Sequence, residues 1–460
     1  MAEVKVGLEV HGYLNARRKL FCLCKIEKDA EPNTNICPVC TAQPGSKPML
    51  PSKEALDRII AIGLMLDCRI NSRLLFQRKH YSWPDLPAGY QRTISGSYSF
   101  PVGVEGSFLG IGITDVHLEE DPARWEPETG FVDYNRSGYP LVEIVTKPDF
   151  TSSEQVREWV KRLVTTLSYI KAVDPEMGIK CDVNISIPPA FLRVEVKNVN
   201  SIKSIAAAID HEAARQERIV KQGKAVGHET RAWNEQLQET IFMRRKEQAM
   251  DYMYIPEPDL PVIDVSEDYR KSIAKTLPER PHEKKERYVK KLGIDATDAD
   301  VLSSDILLAE LFEKVAEKIE PVLAARWLRQ ELLRVLHYNK KELFELELEA
   351  RHIIALLRLV ESRKISEETA RRLLEKLAEK PFEVEEYVKK EGLAIITGSA
   401  DLEKICSEVI AANEKAVQDY LKGEEKALNF IVGQVMAKTK GRADARKLRE
   451  LIQARIKQAA

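Results

Sequence analysis

Nowhere do the 460 residues run far enough without a charge to cross a bilayer; no apolar stretch reaches the ~18 residues required. The first residues carry no signal-peptide profile, so the expected location is the cytoplasm, away from any membrane. Net charge is equally scarce: 71 Lys and Arg meet 72 Asp and Glu, leaving −1. That balance excludes a strongly basic, histone-like binder, and any contact with RNA has to come from a local patch. Cysteine is sparse and odd in number, seven, with most near the start, which suits a reducing compartment better than a disulfide scaffold. The P-loop and the dinucleotide-binding glycine fingerprint are missing, so a nucleotide would need a less common cradle. There is no nucleophile elbow and no Ser-His-Asp order. What remains is ordinary globular material. A hydrophobic fraction of 44% excludes wholesale disorder, and at roughly 150 residues per domain the length implies about three domains.

Up to about residue 290 the chain reads as strands and loops with interleaved helices. Val4, Val6, Leu8 and Val10 alternate with Lys5, Gly7, Glu9 and His11, the pattern of a half-buried strand. A helix is predicted from Ser52, whose hydroxyl can cap it, through Leu56, Ile59, Ile60 and Leu64. Ile179, Cys181, Val183, Ile185 and Ile187 face one way and Lys180, Asp182, Asn184 and Ser186 the other. After Pro188-Pro189 a second run sets Val194 and Val196 against Arg193, Glu195 and Lys197. The two runs predict a hairpin with one apolar and one charged face, followed by a helix from Ser201 to about Lys221. Beyond Pro278 and Pro281 the composition turns to Leu, Glu, Lys and Arg at helical spacing as far as about Lys390. From about Ser399 a last unit ends in a basic run. Lys438, Lys440, Arg442, Arg446, Lys447, Arg449, Arg455 and Lys457 stand there against two acidic residues. Such a helix suits a phosphate backbone, and reads equally as a terminal helix whose lysines snorkel. The expected fold is therefore α+β and multidomain: a mixed, strand-rich cradle over 1–290, an all-α domain over 291–398 and a small helical tail over 399–460.

Two sets of residues carry chemistry. Cys22-x-Cys24 and Cys37-x-x-Cys40, twelve residues apart, can close a tetrahedral zinc site of the structural kind, since no ligand position is left for water. A disulfide pair or four unrelated buried thiols is the alternative. Cys68, Cys181 and Cys406 read as packed core thiols. Glu9 and His11 share one face of the first strand, Glu119 and Glu120 close the Ile111–Leu118 run, and Glu143 sits inside Leu141-Val142-Glu143-Ile144-Val145. With Asp182 and Glu195 on the charged side of the hairpin, these carboxylates and one histidine suit a hard cation such as Mg2+. Each taken alone reads equally as one half of a salt bridge with Arg136, Lys180, Arg193 or Lys197. His80, His117 and His211 have no metal spacing and default to structural roles.

Read in order, these segments resemble the GatB family, the tRNA-handling subunits of the aspartyl/glutamyl-tRNA amidotransferases. The motifs are Gly7-Leu8-Glu9-Val10-His11, Lys19-Leu20-Phe21-Cys22-x-Cys24, Cys37-Pro38-Val39-Cys40 and Pro84-Asp85-Leu86-Pro87-x-Gly89-Tyr90-Gln91. They continue with His117-Leu118-Glu119-Glu120-Asp121, Val132-Asp133-Tyr134-Asn135-Arg136, Cys181-Asp182-Val183-Asn184-Ile185-Ser186 and Pro256-Glu257-Pro258-Asp259-Leu260-Pro261. Asp121-Pro122-Ala123-Arg124 departs from the family's commoner loop by lacking its glycine. The resemblance implies repair of mischarged tRNA, Asp on tRNA-Asn or Glu on tRNA-Gln. ATP would phosphorylate the side-chain carboxylate, and ammonia would then displace the phosphate. It implies Mg2+ at Glu9, His11, Glu119, Glu120, Glu143 and Asp182, structural Zn2+ at the four cysteines, and Lys79 as a phosphate or carboxylate contact. A basic tail with Lys438, Lys440, Arg442, Arg446 and Lys447 would bind the tRNA. No amidase-type nucleophile is visible, so the implied partners are a glutaminase subunit of the amidase family, a small bridging subunit and a non-discriminating aminoacyl-tRNA synthetase. The run from Pro256–Pro261 to the first helices is too short for the large insert of the sister two-subunit family, which favours a heterotrimer.

Overall fold

A computed structural model describes residues 4–81, 83–189, 191–199, 201–245, 253–395, 399–439, 443 and 445–459. It divides into two compact units, 1–281 and 282–460. Among the described residues no helix is long and apolar enough to cross a membrane.

Among the described residues, sixteen strands lie in the first unit. In chain order they are β1 (Lys5–Tyr13), β2 (Arg69–Ile70), β3 (Arg73–Leu74), β4 (Gln77–His80), β5 (Tyr90–Thr93), β6 (Gly103–Phe108), β7 (Ile111–Glu120) and β8 (Arg124–Trp125). Then come β9 (Val132–Asp133), β10 (Pro140–Thr146), β11 (Ile179–Ser186), β12 (Val194–Val199), β13 (Glu229–Asn234), β14 (Glu239–Arg245), β15 (Met253–Pro256) and β16 (Ile263–Asp264). Ten of them follow each other across one large sheet in the order β14-β13-β12-β11-β1-β10-β7-β5-β4-β15, with β6 and β2 joined at β7. All these pairings but β12–β13 are antiparallel. The predicted hairpin is β11–β12, with a register shift between Cys181 and Val183.

One face of the sheet is covered by helices. Leu56, Ile59 and Ile60 of α1 (Lys53–Met65), Val156, Trp159 and Leu163 of α2 (Ser153–Tyr169) and Ile205 and Ile209 of α3 (Ile202–Lys221) enter one core. There they meet Val6, Leu8, Val10, Val116, Ile144 and Val183 from the strands. Each such aliphatic side chain contributes roughly 1.5–3 kcal/mol by leaving water. Ser152 and Ser201 cap α2 and α3 by accepting the Gln155 and Ser204 N–H groups. Ser52 takes the cap position of α1, yet its hydroxyl makes no cap hydrogen bond; its backbone N–H is instead bound to the Leu20 carbonyl. Alternation turns Glu9, His11, Glu143 and Asp182 of the strands to the opposite face.

The second unit is helical. α4 (Glu267–Ala274) closes the first unit, and α5 (Pro281–Leu292), α6 (Ala296–Leu302) and α7 (Ile306–Ala316) follow. Asp295 and Asp305 cap α6 and α7, and Glu320 caps a helix that starts at Pro321. Helices up to Lys390 bury Phe312, Trp327, Leu356 and Leu373 in one core. Helices over Ser399–Ala412, Glu414–Leu421, Glu425–Lys438 and Ala445–Ala459 bury Cys406, Leu428, Val435 and Ile452 in a separate one.

Candidate active site

Alternation on β1 turns Glu9, His11 and Tyr13 away from the core that Val6, Leu8 and Val10 enter. Sheet register then selects their neighbours. His11 stands opposite Glu143 of β10 and Lys180 of β11, Glu143 opposite His117 of β7, and Glu9 opposite Asp182. Two acidic groups result on the polar face. His11, Glu119 and Glu143 can each offer a ligand atom within 4.8 Å of the others, and so can Glu9, Asp182 and Glu195.

The first group is held by a second histidine. His117, 4% exposed, is clamped between Asp115 at 2.7 Å and Glu143 at 2.8 Å, while His11 Nε2 lies 3.4 Å from the same Glu143 oxygen. Burial disfavours charge on both imidazoles, but these carboxylates outweigh it and raise His117 to about 10 and His11 to about 9. Burial would push Glu143 up; the two imidazoles hold it well below the carboxylate range instead. One buried oxygen of Glu119, Oε2, has no hydrogen-bond partner among the described residues. A buried carboxylate oxygen left this way is costly, and a bound cation would satisfy it. The donor set of carboxylates and one imidazole therefore fits a hard divalent ion.

In the second group Lys197 donates to Asp182 at 2.6 Å and lies 3.1 Å from Glu195, while Thr230 donates to Glu195 at 3.1 Å. Asn184 donates to Glu9 at 3.0 Å; burial and the Glu143 charge nevertheless raise the Glu9 carboxyl. Beside this face a cleft of about 510 Å3 is lined by Tyr13, Arg124, Arg136, Tyr139 and Lys180. A larger hollow of about 800 Å3 lies along Arg17–Glu27 and Met49–Glu54. Neither is lined by a residue of the two acidic groups; the smaller one adjoins them through Tyr13, two residues along β1 from His11, and Lys180, opposite His11 on β11.

Not every expected residue gathers here. Adjacent strand residues point to opposite faces, and Glu120 is turned from Glu119 into an ionic network with Arg92 at 3.0 Å. Arg92 and Arg78 also bind the buried Glu257. Lys79 lies on β4, which β5 separates from β7, with its ammonium 5.9 Å from the Tyr81 ring. Arg136 pairs with Asp121 at 2.8 Å rather than with a site carboxylate. His117, read as structural, bridges Asp115 and Glu143, and Lys197, read as a salt-bridge partner, is one to Asp182 and Glu195. The signal for His117 was present in the alternation Asp115-x-His117-x-Glu119. In the tail, Lys438 pairs with Glu408 at 3.3 Å. Lys440 and Arg442 lie outside the described residues, and for Arg446 and Lys447 only the helical backbone is described.

The four cysteines do converge. Cys22, Cys24, Cys37 and Cys40 are free thiols whose sulfurs all lie within 4.8 Å of one another, with Cys37 and Cys40 at 3.8 Å. Tetrahedral thiolates about 2.3 Å from zinc are about 3.8 Å apart, so the cluster can hold such a metal. A hydrogen bond from Cys22, opposed by burial and helped by the Cys37 N–H and Lys19, brings Cys40 down to about 5. The knuckle grips the neighbouring loop: the Cys40 carbonyl accepts from Ser137 at 2.8 Å, and Leu20 N–H donates to Gly138 at 2.7 Å. Gly138 sits at φ +84°, where a side chain would be strained.

Comparison with known proteins places this geometry. Residues 4–271 match the GatB/GatE catalytic domain and residues 310–456 the GatB domain. The GatB subunit of the aspartyl/glutamyl-tRNA(Asn/Gln) amidotransferase from Methanocaldococcus jannaschii is 46% identical, covering 99% of this chain and 98% of its own. Those from Methanococcus maripaludis C7 and Methanothermobacter thermautotrophicus are each 44% identical, covering 98% of this chain and 98% and 100% of theirs. With such similarity along its whole length, the chain belongs to the GatB family of aspartyl/glutamyl-tRNA(Asn/Gln) amidotransferase subunits.

Proposed function

We propose that this chain carries out the tRNA-directed half of an amidation, converting Asp-tRNA(Asn), Glu-tRNA(Gln) or both to the amide form. The observation that carries this reading is the pair of acidic groups on the polar sheet face, within the segment that matches the GatB/GatE catalytic domain. A carboxylate is a poor electrophile, and ATP would convert the aminoacyl side chain to an acyl phosphate. Ammonia adds to that carbonyl carbon, the C–O bond to phosphate breaks, and phosphate leaves with the electron pair and takes up the proton that the nitrogen sheds to become the amide.

In the group of Glu9, Asp182 and Glu195 the Lys197 ammonium already pairs with Asp182 and Glu195, while His11, Glu119 and Glu143 would hold Mg2+. A cation there supplies charge neutralisation for the phosphoryl group, the main requirement of this chemistry. The chain's own residues supply orientation. His117 fixes Glu143, Asn184 fixes Glu9, and Lys197 neutralises Asp182 and Glu195. The adjoining cleft sets Lys28, Arg124, Arg136 and Lys180 among Glu27, Asp133 and Glu176, and its cations would be the contacts for a phosphate or the acceptor end. Ammonia would come from a glutaminase partner joined through a small bridging subunit, and the complex would work in the cytoplasm. We read 1–290 as the reaction cradle, 291–398 as a spacer and 399–460 as the tRNA-binding tail. Zinc at the four cysteines would hold the knuckle without entering the reaction.

The test is reconstitution with the partner subunits and an assay of ATP-dependent amidation of each mischarged tRNA. The Glu143→Ala, Asp182→Ala double variant should lose amidation and tRNA-dependent ATP cleavage while glutaminase activity survives. Wild-type amidation by that variant would remove the assignment.

A further inference from the structure

Lys19 is completely buried, at 0% exposure, in the first turn of chain that reaches the cysteine knuckle. Its ammonium lies 3.4 Å from Cys40 Sγ and 3.1 Å from the Tyr134 carbonyl, and 5.9 Å from the Tyr139 ring centroid. No carboxylate pairs with it among the described residues. A lysine in such a place is expensive unless negative charge stands beside it, because a buried charge needs a partner. The polar neighbours here are a sulfur, a carbonyl oxygen and an aromatic face, and of these the sulfur alone can carry a full charge.

A divalent ion held by four thiolates keeps a surplus of roughly two negative charges, which water would otherwise screen. Cys22 and Cys40 are buried and Cys24 and Cys37 half-buried, so the protein has to supply part of that screening. We propose that Lys19 is the charge-balancing partner of the four-cysteine metal centre, donating to the Cys40 thiolate and lowering the repulsion among the ligands. The same ammonium ties the centre to Tyr134, at the start of the loop that carries Arg136 and its bond to Asp121. Lys19 is thus a positioning residue: it stabilises the bound metal through a ligand and takes no part in the reaction. The interaction works in both directions, since the metal-held thiolate is what makes a buried ammonium tolerable.

The inference rests on the zinc reading, and the experiment separates the two. Zinc in the purified full-length chain is first counted by elemental analysis; a zinc-free wild type overturns the zinc reading itself. Zinc release to a colorimetric chelator is then timed for wild type, Lys19→Met and Lys19→Gln, the last keeping an N–H donor without the charge. Loss of a group hydrogen-bonded to a metal ligand weakens retention about 10–100-fold. Lys19→Met should therefore release zinc at least about tenfold faster than wild type, with Lys19→Gln in between.

The same pair is compared in a Cys24→His background, where a neutral ligand removes one unit of the surplus charge. There Lys19→Met should cost less than about threefold. If Lys19→Met is insoluble alone, the combined variant should recover solubility, since its centre needs less compensation. Wild-type zinc retention by Lys19→Met, or the same loss in both backgrounds, or failure of the combined variant to recover, overturns the proposal.

Discussion

At the scale of the residue, His117 shows how one side chain organises a site. Its two nitrogens bridge Asp115 and Glu143 at 2.7 and 2.8 Å in a buried setting, so removing it leaves both carboxylates short of a partner. Breaking a buried pair of this kind costs about 3–5 kcal/mol. His117→Gln, which can still donate one hydrogen bond, should lose roughly 2–3 kcal/mol of stability and most of the amidation, with the partner's glutaminase intact. The pH dependence follows from the raised value of about 10. A histidine bound more tightly as the cation contributes stability fully below its ordinary range near 6.5 and loses it as pH rises through about 10. In Mg2+-free buffer the gap between wild type and His117→Gln should therefore be widest near pH 6 and narrow toward pH 10, measured by urea unfolding at each pH. Glu119 and Glu120 make the same point about legibility. That neighbours on a strand face opposite ways is readable from period two; that Arg92 waits on the other side for Glu120 is not.

At the scale of the element, α5 and α7 meet through the Tyr288 and Phe312 rings, 4.9 Å apart, and through one carboxylate that gathers three donors. Glu313 of α7 accepts from Lys284 at 2.6 Å, from Tyr288 at 2.9 Å and from Arg287, all on α5. Burial would raise the Glu313 carboxyl, but these three donors hold it below its ordinary value. A depressed carboxylate contributes stability above its unfolded pKa of roughly 4.3–4.5 and loses it as pH falls through the folded value. Glu313→Gln should cost about 1–2 kcal/mol at pH 7 and progressively less as the pH falls below about 4, read from denaturant midpoints. Helices were legible here from their 3.6-residue spacing and from caps such as Asp295, Asp305 and Glu320. Which two helices share Glu313 was not, since any exposed acid on a charged helix has several cations within reach.

At the scale of the molecule, the three largest cores among the described residues belong to different stretches of chain. The sheet and its helices bury one set, the helices to Lys390 a second, and the last four helices a third. Removing everything after Ser399 takes away the third set only, so the sheet should keep its fold and its zinc. If the tail binds tRNA through its basic surface, the truncated chain should bind at least about tenfold more weakly, with a shallower dependence on salt. Filter binding at several salt concentrations, with zinc analysis on the same sample, checks both halves; unchanged tRNA affinity would assign the tail to packing alone. The sequence by itself determined the strand alternation of β1 and β11, the cysteine knuckle, the helical second half and, through ordered motifs, the family. Those are local patterns, set by side-chain period and short spacing. Only the tertiary structure decided that His11 and His117 both reach Glu143, that Glu9 meets Asp182 and Glu195, and that Lys19 lies under Cys40. Those neighbours come from strand order and register, which the packing of the whole sheet on its helices selects.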